Sequence, residues 1–284
     1  MTDQFLRFPG GRLKAVTFSY DDGVKSDLRL AALFDRYGLK GTFNLNSRFI
    51  GTGGHTTAEE IRRSILDAGH EIAVHGARHR APGKCRPVEG IADVLDCRRA
   101  LEETFGVIVR GMAYPNSGIR HFSPGVDYAQ VKSYLRSLDI AYARSLGGDN
   151  DGFFLPNDPY DWVPTAHHNN PALFDWAEKF LKIDERTARG DGGMPRLMYI
   201  WGHSYEFDRD NSWDRMEKLC ALLGGKEEIW YATNMEITEY VSAYLSLVFS
   251  ADGSLIYNPT IKDVYLSVED RGICVRSGET VRIG

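Results

Sequence analysis

Ala15-Val16-Thr17-Phe18-Ser19-Tyr20-Asp21-Asp22-Gly23 decides the reading of this chain. An apolar, β-prone run stops on two adjacent carboxylates and a glycine. The run predicts a buried strand. Two like charges at its end are costly unless a cation or a shared proton relieves them. Asp-Asp-Gly is by itself also a common turn sequence, so the triplet alone leaves turn and site both open. A second segment repeats the arrangement: Ile72-Ala73-Val74 runs into His75-Gly76-Ala77-Arg78-His79. A carboxylate and two imidazoles at successive strand ends form the donor set of a three-ligand catalytic metal site. HxxxH alone arises by chance on helix faces and loops. The pair carries weight because each half follows a strand-like run and helical segments separate them. In that repeating β/α order, active sites gather at the carboxyl ends of the strands.

Working outward, strand-like runs recur near 15–20, 41–45, 71–75, 109–115, 139–144, 161–165, 196–202 and 229–233. Amphipathic helical patterns are read over 26–37, 58–68, 88–105 and 213–223, the second opening with the capping box Thr57-x-x-Glu60. Gly38, Gly69, Gly106 and Gly224 follow these four patterns as helix stops. The alternation predicts a parallel α/β architecture, a distorted or incomplete (β/α) barrel, with a doubly wound sheet as the other option. No glycine-rich phosphate loop follows the first strand, which weighs against nucleotide binding. The barrel is expected over 1–245. Over 246–284, the Asp252-Gly253 turn and short runs at 264–268 and 280–283 predict a small β appendage packed on it. Residues 146–160, rich in Gly, Asp, Asn and Pro, read as a long loop that could shape a site.

The net charge of −5 offers no basic field for nucleic acid. The four cysteines, at 85, 97, 220 and 274, have no metal-ligand spacing and do not resemble a disulfide framework. No apolar run is long enough to span a bilayer, and the first residues lack a leader pattern. The expected location is cytoplasmic; oligomeric state is not legible.

Four motifs then come in order: Thr17-Phe18-Ser19-Tyr20-Asp21-Asp22-Gly23, His75-x-x-x-His79, Tyr114-Pro115, and Tyr199-Ile200-Trp201-Gly202-His203. Together, over about residues 14–240, they resemble the polysaccharide deacetylase family, the NodB-homology or carbohydrate esterase 4 group. The resemblance implies a distorted (β/α) barrel of the NodB type with a divalent metal on Asp22, His75 and His79. It implies Asp21 as general base and His203 as general acid. Zinc suits the ligand set, and cobalt, iron or manganese could also fill it.

The chain departs from the family pattern in places. Ala113, in Ala113-Tyr114-Pro115-Asn116, falls where the family has an arginine beside the base. Arg110 lies an odd number of residues upstream, on the opposite strand face, so another cation must replace it or the pKa of Asp21 rises. Gly76 stands where a Ser or Thr hydroxyl is usual. The resemblance makes the Asn116 backbone N–H an oxyanion donor. Asp161-Trp162 is the candidate for the family's Asp-Trp pair, with Asp161 available to orient His203. Tyr114, Asn116, Asp161 and Trp201 are the candidate substrate-binding residues, Trp201 either stacking on a sugar or packing in the core. Tyr205 could stack likewise. His167 and His168 read as loop polarity, substrate contacts or a substitute for the missing arginine.

The expected function is metal-dependent hydrolysis of an N-acyl group, acetyl first, from an amino sugar or oligosaccharide. The partners are then a carbohydrate or small N-acyl substrate, with no nucleic acid and no membrane. Two alternatives stay open. One is hydrolysis of another non-peptide C–N bond, such as a formamide, imide or cyclic amide; the other is a non-catalytic carbohydrate-binding relative.

Overall fold

The computed structural model describes residues 4–146, 149–190 and 193–283. The chain runs β1 (Gln4–Arg7), β2 (Lys14–Asp21), α1 (Ser26–Arg36), β3 (Gly41–Leu45), α2 (Ala58–Ile61), β4 (Glu71–Val74), α3 (Pro87–Phe105), β5 (Gly111–Ala113), α4 (Tyr128–Ser137) and β6 (Tyr142–Arg144). It continues through β7 (Ala166–His167), α5 (Leu173–Leu181), α6 (Glu185–Gly190), β8 (Arg196–Gly202), α7 (Tyr205–Arg209), α8 (Trp213–Leu223), β9 (Ile229–Tyr231) and α9 (Asn234–Leu245). Five short strands follow: β10 (Val248–Phe249), β11 (Leu255–Tyr257), β12 (Val264–Val268), β13 (Arg271–Val275) and β14 (Thr280–Arg282).

The main sheet has the order β6-β5-β4-β3-β2-β8-β7, with β9 also paired to β2, and its pairings are parallel. Helices cover its outer face, and the sheet curls into the expected incomplete barrel. Strand periodicity explains both layers. Val16, Phe18 and Tyr20 pack with Leu30 and Phe34 of α1 in the helix-side core; the Phe18 and Phe34 rings lie 4.6 Å apart. The alternate residues Thr17, Ser19 and Asp21 face the inside of the curl.

The run at 161–165 is not a strand. It divides between two neighbours: Trp162 bonds to β6 through Ala143 and Ser145, and Thr165 and His168 bond to β8 through Tyr199 and Trp201. The short β7 begins only at Ala166. Pro164 has no N–H to give a ladder, so the pairing changes partner there. This split segment spans the gap between β6 and β8.

The helix readings at 26–37, 88–105 and 213–223 match α1, α3 and α8. At 58–68 the expected capping box holds α2, which then widens into a π turn over Arg62–Leu66. Gly106 ends α3 in the left-handed region, φ 67°. Gly224 does not; it is extended at φ −74°, and Gly225 takes the left-handed turn at φ 69°.

In the appendage, β10, β11 and β14 form one three-stranded sheet, while β12 sits between β1 and β13 in another. The N-terminal strand thus joins the C-terminal unit. Gly147 and Gly148 of the long loop, like the first three residues, lie outside the described residues. Among the described residues no helix is long and apolar enough to cross a membrane.

Candidate active site and metal centre

Asp21 is the last residue of β2, and its side chain is almost completely buried. Burial alone would raise its pKa. The Arg144 guanidinium, with help from His75 and His203, overrides that and holds the carboxyl below its ordinary value. Arg144 Nη2 donates to Asp21 Oδ2. Asn44, at the same level on β3, donates from Nδ2 to Asp21 Oδ1 at 2.8 Å. The cation expected at position 113 therefore comes from β6. Ala113 and Arg144 are register partners on adjacent parallel strands, and the small Ala113 side chain leaves the inside of the curl to the larger one. The Arg144 guanidinium also lies over the Trp201 ring, 4.5 Å from its centroid. Arg110 is not at the base; it is bonded to Asp139.

Asp22, His75 and His79 come together as the motifs predict. Asp22 Oδ1 lies 3.6 Å from His75 Nε2 and 3.3 Å from His79 Nε2, and one ligand atom from each residue falls within 4.8 Å of the others. The donor chemistry fits a divalent ion. His75 Nδ1 is 2.9 Å from the Ala113 carbonyl, which can only accept, so Nδ1 carries the proton and Nε2 presents its lone pair toward Asp22. Burial lowers the His75 pKa, keeping the ring neutral as ligation requires. Asp22 and His79 both have positive φ, 81° and 57°. Such backbone strain in non-glycine residues gathers where function fixes a side chain's direction.

The loop between the two histidines is braced from α3. Asp93 accepts the Arg78 N–H at 2.9 Å, and the Ala77 N–H bonds the Asp93 carbonyl. A Cβ at Gly76 would collide with the Asp93 carboxylate. The hydroxyl missing at position 76 is thus replaced by a carboxylate from a neighbouring helix, and glycine makes room for it.

His203 follows β8, with Nε2 4.0 Å from Asp21 Oδ2 and Nδ1 3.7 Å from Glu206 Oε1. Burial would lower its pKa, but Glu206, Asp21 and Asp22 raise it above the ordinary value. His167 Nε2 and His168 Nε2 each lie 3.1 Å from Glu206 Oε2. Although burial opposes it, these imidazoles hold Glu206 far below the usual carboxylate range. His167 accepts the Asn169 N–H at Nδ1, 3.1 Å, so its own proton sits on Nε2 facing Glu206. That ring has no lone pair to offer at Nε2, and the His167–His203–Glu206 cluster reads as a caged carboxylate rather than a second metal site. His167 and His168 therefore serve Glu206 and do not substitute for the missing arginine.

The other candidates divide. Trp201 lines the site, its ring 4.7 Å from His167 and 5.8 Å from His203 by centroid. Tyr205 lies 5.4 Å from His203 and is partly exposed. Asn116, with φ 51°, donates from its amide to the His79 carbonyl at 2.8 Å. Tyr114 is buried and donates to the Tyr160 carbonyl, so its hydroxyl serves packing. Asp161 is held by Arg120, at 2.7 and 3.2 Å, and Glu206 takes the place beside His203 that Asp161 was expected to fill. Sequence reasoning missed Arg144 and the role of Glu206. The available signals were a charged residue closing a buried strand, and a carboxylate three residues after the candidate acid His203.

Comparison with known proteins agrees with this geometry. The polysaccharide deacetylase family model matches residues 10–127. No curated protein matches the chain. Among solved structures, one from Mycobacterium smegmatis, provisionally assigned as a polysaccharide deacetylase, aligns with TM-score 0.55 and 20% identity over 84% of this chain and 94% of that one. The PuuE allantoinase aligns with TM-score 0.54 and 15% identity over 82% and 91%. The overlap with the Streptococcus pyogenes deacetylase PplD is smaller, 46% of this chain and 55% of that one, at 13% identity and TM-score 0.41. At these identities the first two alignments show a shared fold. Residues 10–127 thus carry the polysaccharide deacetylase family signature on a NodB-type barrel, and the resemblance read from the motifs holds.

Proposed function

We propose that the protein is a metal-dependent hydrolase that removes an N-acyl group, acetyl first, from an amino sugar or oligosaccharide. The observation that carries this reading is Asp21, an ionised buried carboxylate set between Arg144 and His203 and adjacent to the Asp22–His75–His79 donor set. A divalent ion on those three residues would supply Lewis-acid polarisation of the acyl carbonyl and acidify water. Asp21 accepts the proton of the attacking water as its oxygen bonds to the carbonyl carbon. The Asn116 backbone N–H, the oxyanion donor that the resemblance implies, stabilises the resulting oxyanion. His203, its pKa raised by Glu206 and the two aspartates, then gives its proton to the nitrogen as the C–N bond breaks. The amine leaves neutral and the acyl group leaves as the acid. Trp201 and Tyr205 offer aromatic faces to a sugar ring.

The test is elemental analysis of the purified protein, paired with release of acetate from N-acetylglucosamine oligomers after metal loading. One metal per chain with acetate release supports the reading. One metal without acetate moves it to another substrate or to binding. No metal after loading overturns the ligand assignment. A second reading, hydrolysis of a cyclic amide or related C–N bond, is favoured by the displaced arginine beside the base and by the barrel shared with an allantoinase. A panel of N-acyl sugars against cyclic amides separates the two.

A further inference from the structure

His75 and His79 are four residues apart, a spacing that a helix would place on one face unaided. No helix holds them here. Residues 75–80 form neither helix nor strand, and Gly76 and His79 both take positive φ, 74° and 57°. The loop must therefore take its shape from bonds to other elements. Asp93 of α3 accepts the Arg78 N–H, and Asn116, after β5, donates to the His79 carbonyl. Asn46, the first residue past β3, makes the bonds at the other histidine. Its Nδ2 donates to the His75 carbonyl and to the Gly76 carbonyl, the latter at 3.0 Å. The His75 N–H bonds the Leu45 carbonyl at 3.0 Å. The end of β3 thus grips His75 by both of its backbone polar groups.

Asn46 is buried, with 1% of its surface exposed. Both acceptors of its amide are carbonyls, so the nitrogen must face them. That leaves Oδ1 buried with no hydrogen-bond partner. An orphaned buried acceptor is a standing cost to the fold. A serine or threonine would carry no such acceptor, but its hydroxyl has one hydrogen to give, whereas the amide nitrogen has two. Those two hydrogens draw successive carbonyls to one donor, and the chain turns between them at Gly76, in the left-handed region that glycine takes without strain. The turn sets the direction in which Ala77-Arg78-His79 leaves β4, and so where His79 Nε2 meets Asp22. We propose, on the reading of Asp22, His75 and His79 as metal ligands, that Asn46 is the positioning residue of this donor set. Its two bonds to successive carbonyls fix where His79 stands relative to His75. Asn46 itself holds neither the ion nor the substrate.

The experiment measures the zinc dissociation constant of the full chain by chelator competition, with the visible spectrum of the cobalt-loaded protein as a second readout. The variants are Asn46→Ala and Leu219→Ala. Leu219 is buried on α8, which packs against α1, α5 and α7, so its truncation costs stability without touching the loop. Asn46→Ala weakens zinc binding by about 10–100-fold and changes the cobalt spectrum. Leu219→Ala is less stable in urea, yet binds zinc and shows the cobalt spectrum as the wild type does. Asn46→Ser covers the case in which Asn46→Ala does not fold; it lacks the second donor and binds zinc more weakly than the wild type. Wild-type affinity in a folded Asn46 variant would overturn the proposal, as would an equal loss of affinity in Leu219→Ala. A wild type that takes up neither ion overturns the donor set and the proposal with it. Acetate release is not read, so failure of the deacetylase reading alone leaves this result standing.

Discussion

Arg144 holds Asp21 from β6, one strand over from Ala113. The two positions are in register, so side chains at both start from the same level of neighbouring strands. Removing Arg144 leaves a buried, uncompensated carboxylate. Arg144→Ala is expected to destabilise the fold by about 3–5 kcal/mol in urea denaturation. Asp21 now lies below its ordinary pKa because Arg144 outweighs burial. Without Arg144 burial prevails, the pKa rises, and the acid limb of the kcat/KM profile moves to higher pH. Restoring the cation on the neighbouring strand, as Ala113→Arg with Arg144→Ala, should recover activity relative to Arg144→Ala alone. No recovery, with metal content intact, would show that the position as well as the charge matters.

Glu206 sets the proton affinity of His203. Burial alone would push the imidazole pKa down, and the Glu206 contact is the leading influence in the other direction. Glu206→Gln keeps the shape and removes the charge. The His203 pKa falls, so the basic limb of the kcat profile moves to lower pH and the maximum drops about tenfold or more. His167→Ala should have a smaller effect, because His167 reaches His203 only through Glu206. A basic limb that stays in place in Glu206→Gln would remove Glu206 from the proton-transfer machinery.

The adjacent carboxylates separate by role. Asp22 belongs to the donor set and Asp21 does not. Asp22→Ala and His79→Ala should lose the metal in elemental analysis and lose activity with it. Asp21→Asn should keep one metal per chain and lose turnover by about 10²–10⁴. Full activity in Asp21→Asn would end its assignment as base.

Much of this site was legible because its parts sit at strand ends in sequence order. Asp21, Asp22, His75, His79 and His203 each follow an apolar run, and a parallel sheet brings such ends together whatever the loops do. Arg144 was not legible as a partner of Asp21, since its role depends on the register of β5 with β6, a property of backbone pairing that motif spacing does not encode. The same limit hid Asp93 behind Gly76, and it sent Asp161 to Arg120. The strand read at 161–165 failed for a local reason visible in hindsight: Pro164 forbids continuous pairing. Glu71 was not singled out in the sequence; in the structure Thr42, Tyr142 and the Met235 N–H all bond its carboxylate, and Gly111 leaves it room.

Asp27 offers a test of the packing around the site by stability alone. It lies in the first turn of α1, fully buried, and Ser204, the residue after His203, donates to its Oδ1 at 2.5 Å. Its Oδ2 has no hydrogen-bond partner. Burial, with the nearby Asp22 and Asp21 charges adding to it, raises the pKa to about 8. The sign follows from linkage. The folded carboxyl holds its proton where the unfolded one, near pKa 3.9, has released it, so stability from this group is fully present below about pH 4 and is lost as pH rises toward 8. Within that window the loss approaches about 1.4 kcal/mol per pH unit. Asp27→Asn mimics the protonated acid at every pH. Compared at each pH by urea denaturation, the variant should match the wild type near pH 4, gain on it steadily, and hold a constant advantage above about pH 8. Comparison at matched pH cancels the protons taken up by the metal ligands, which both proteins share. An advantage that does not grow with pH would mean that Asp27 is ionised in the fold, and that something pairs with its Oδ2.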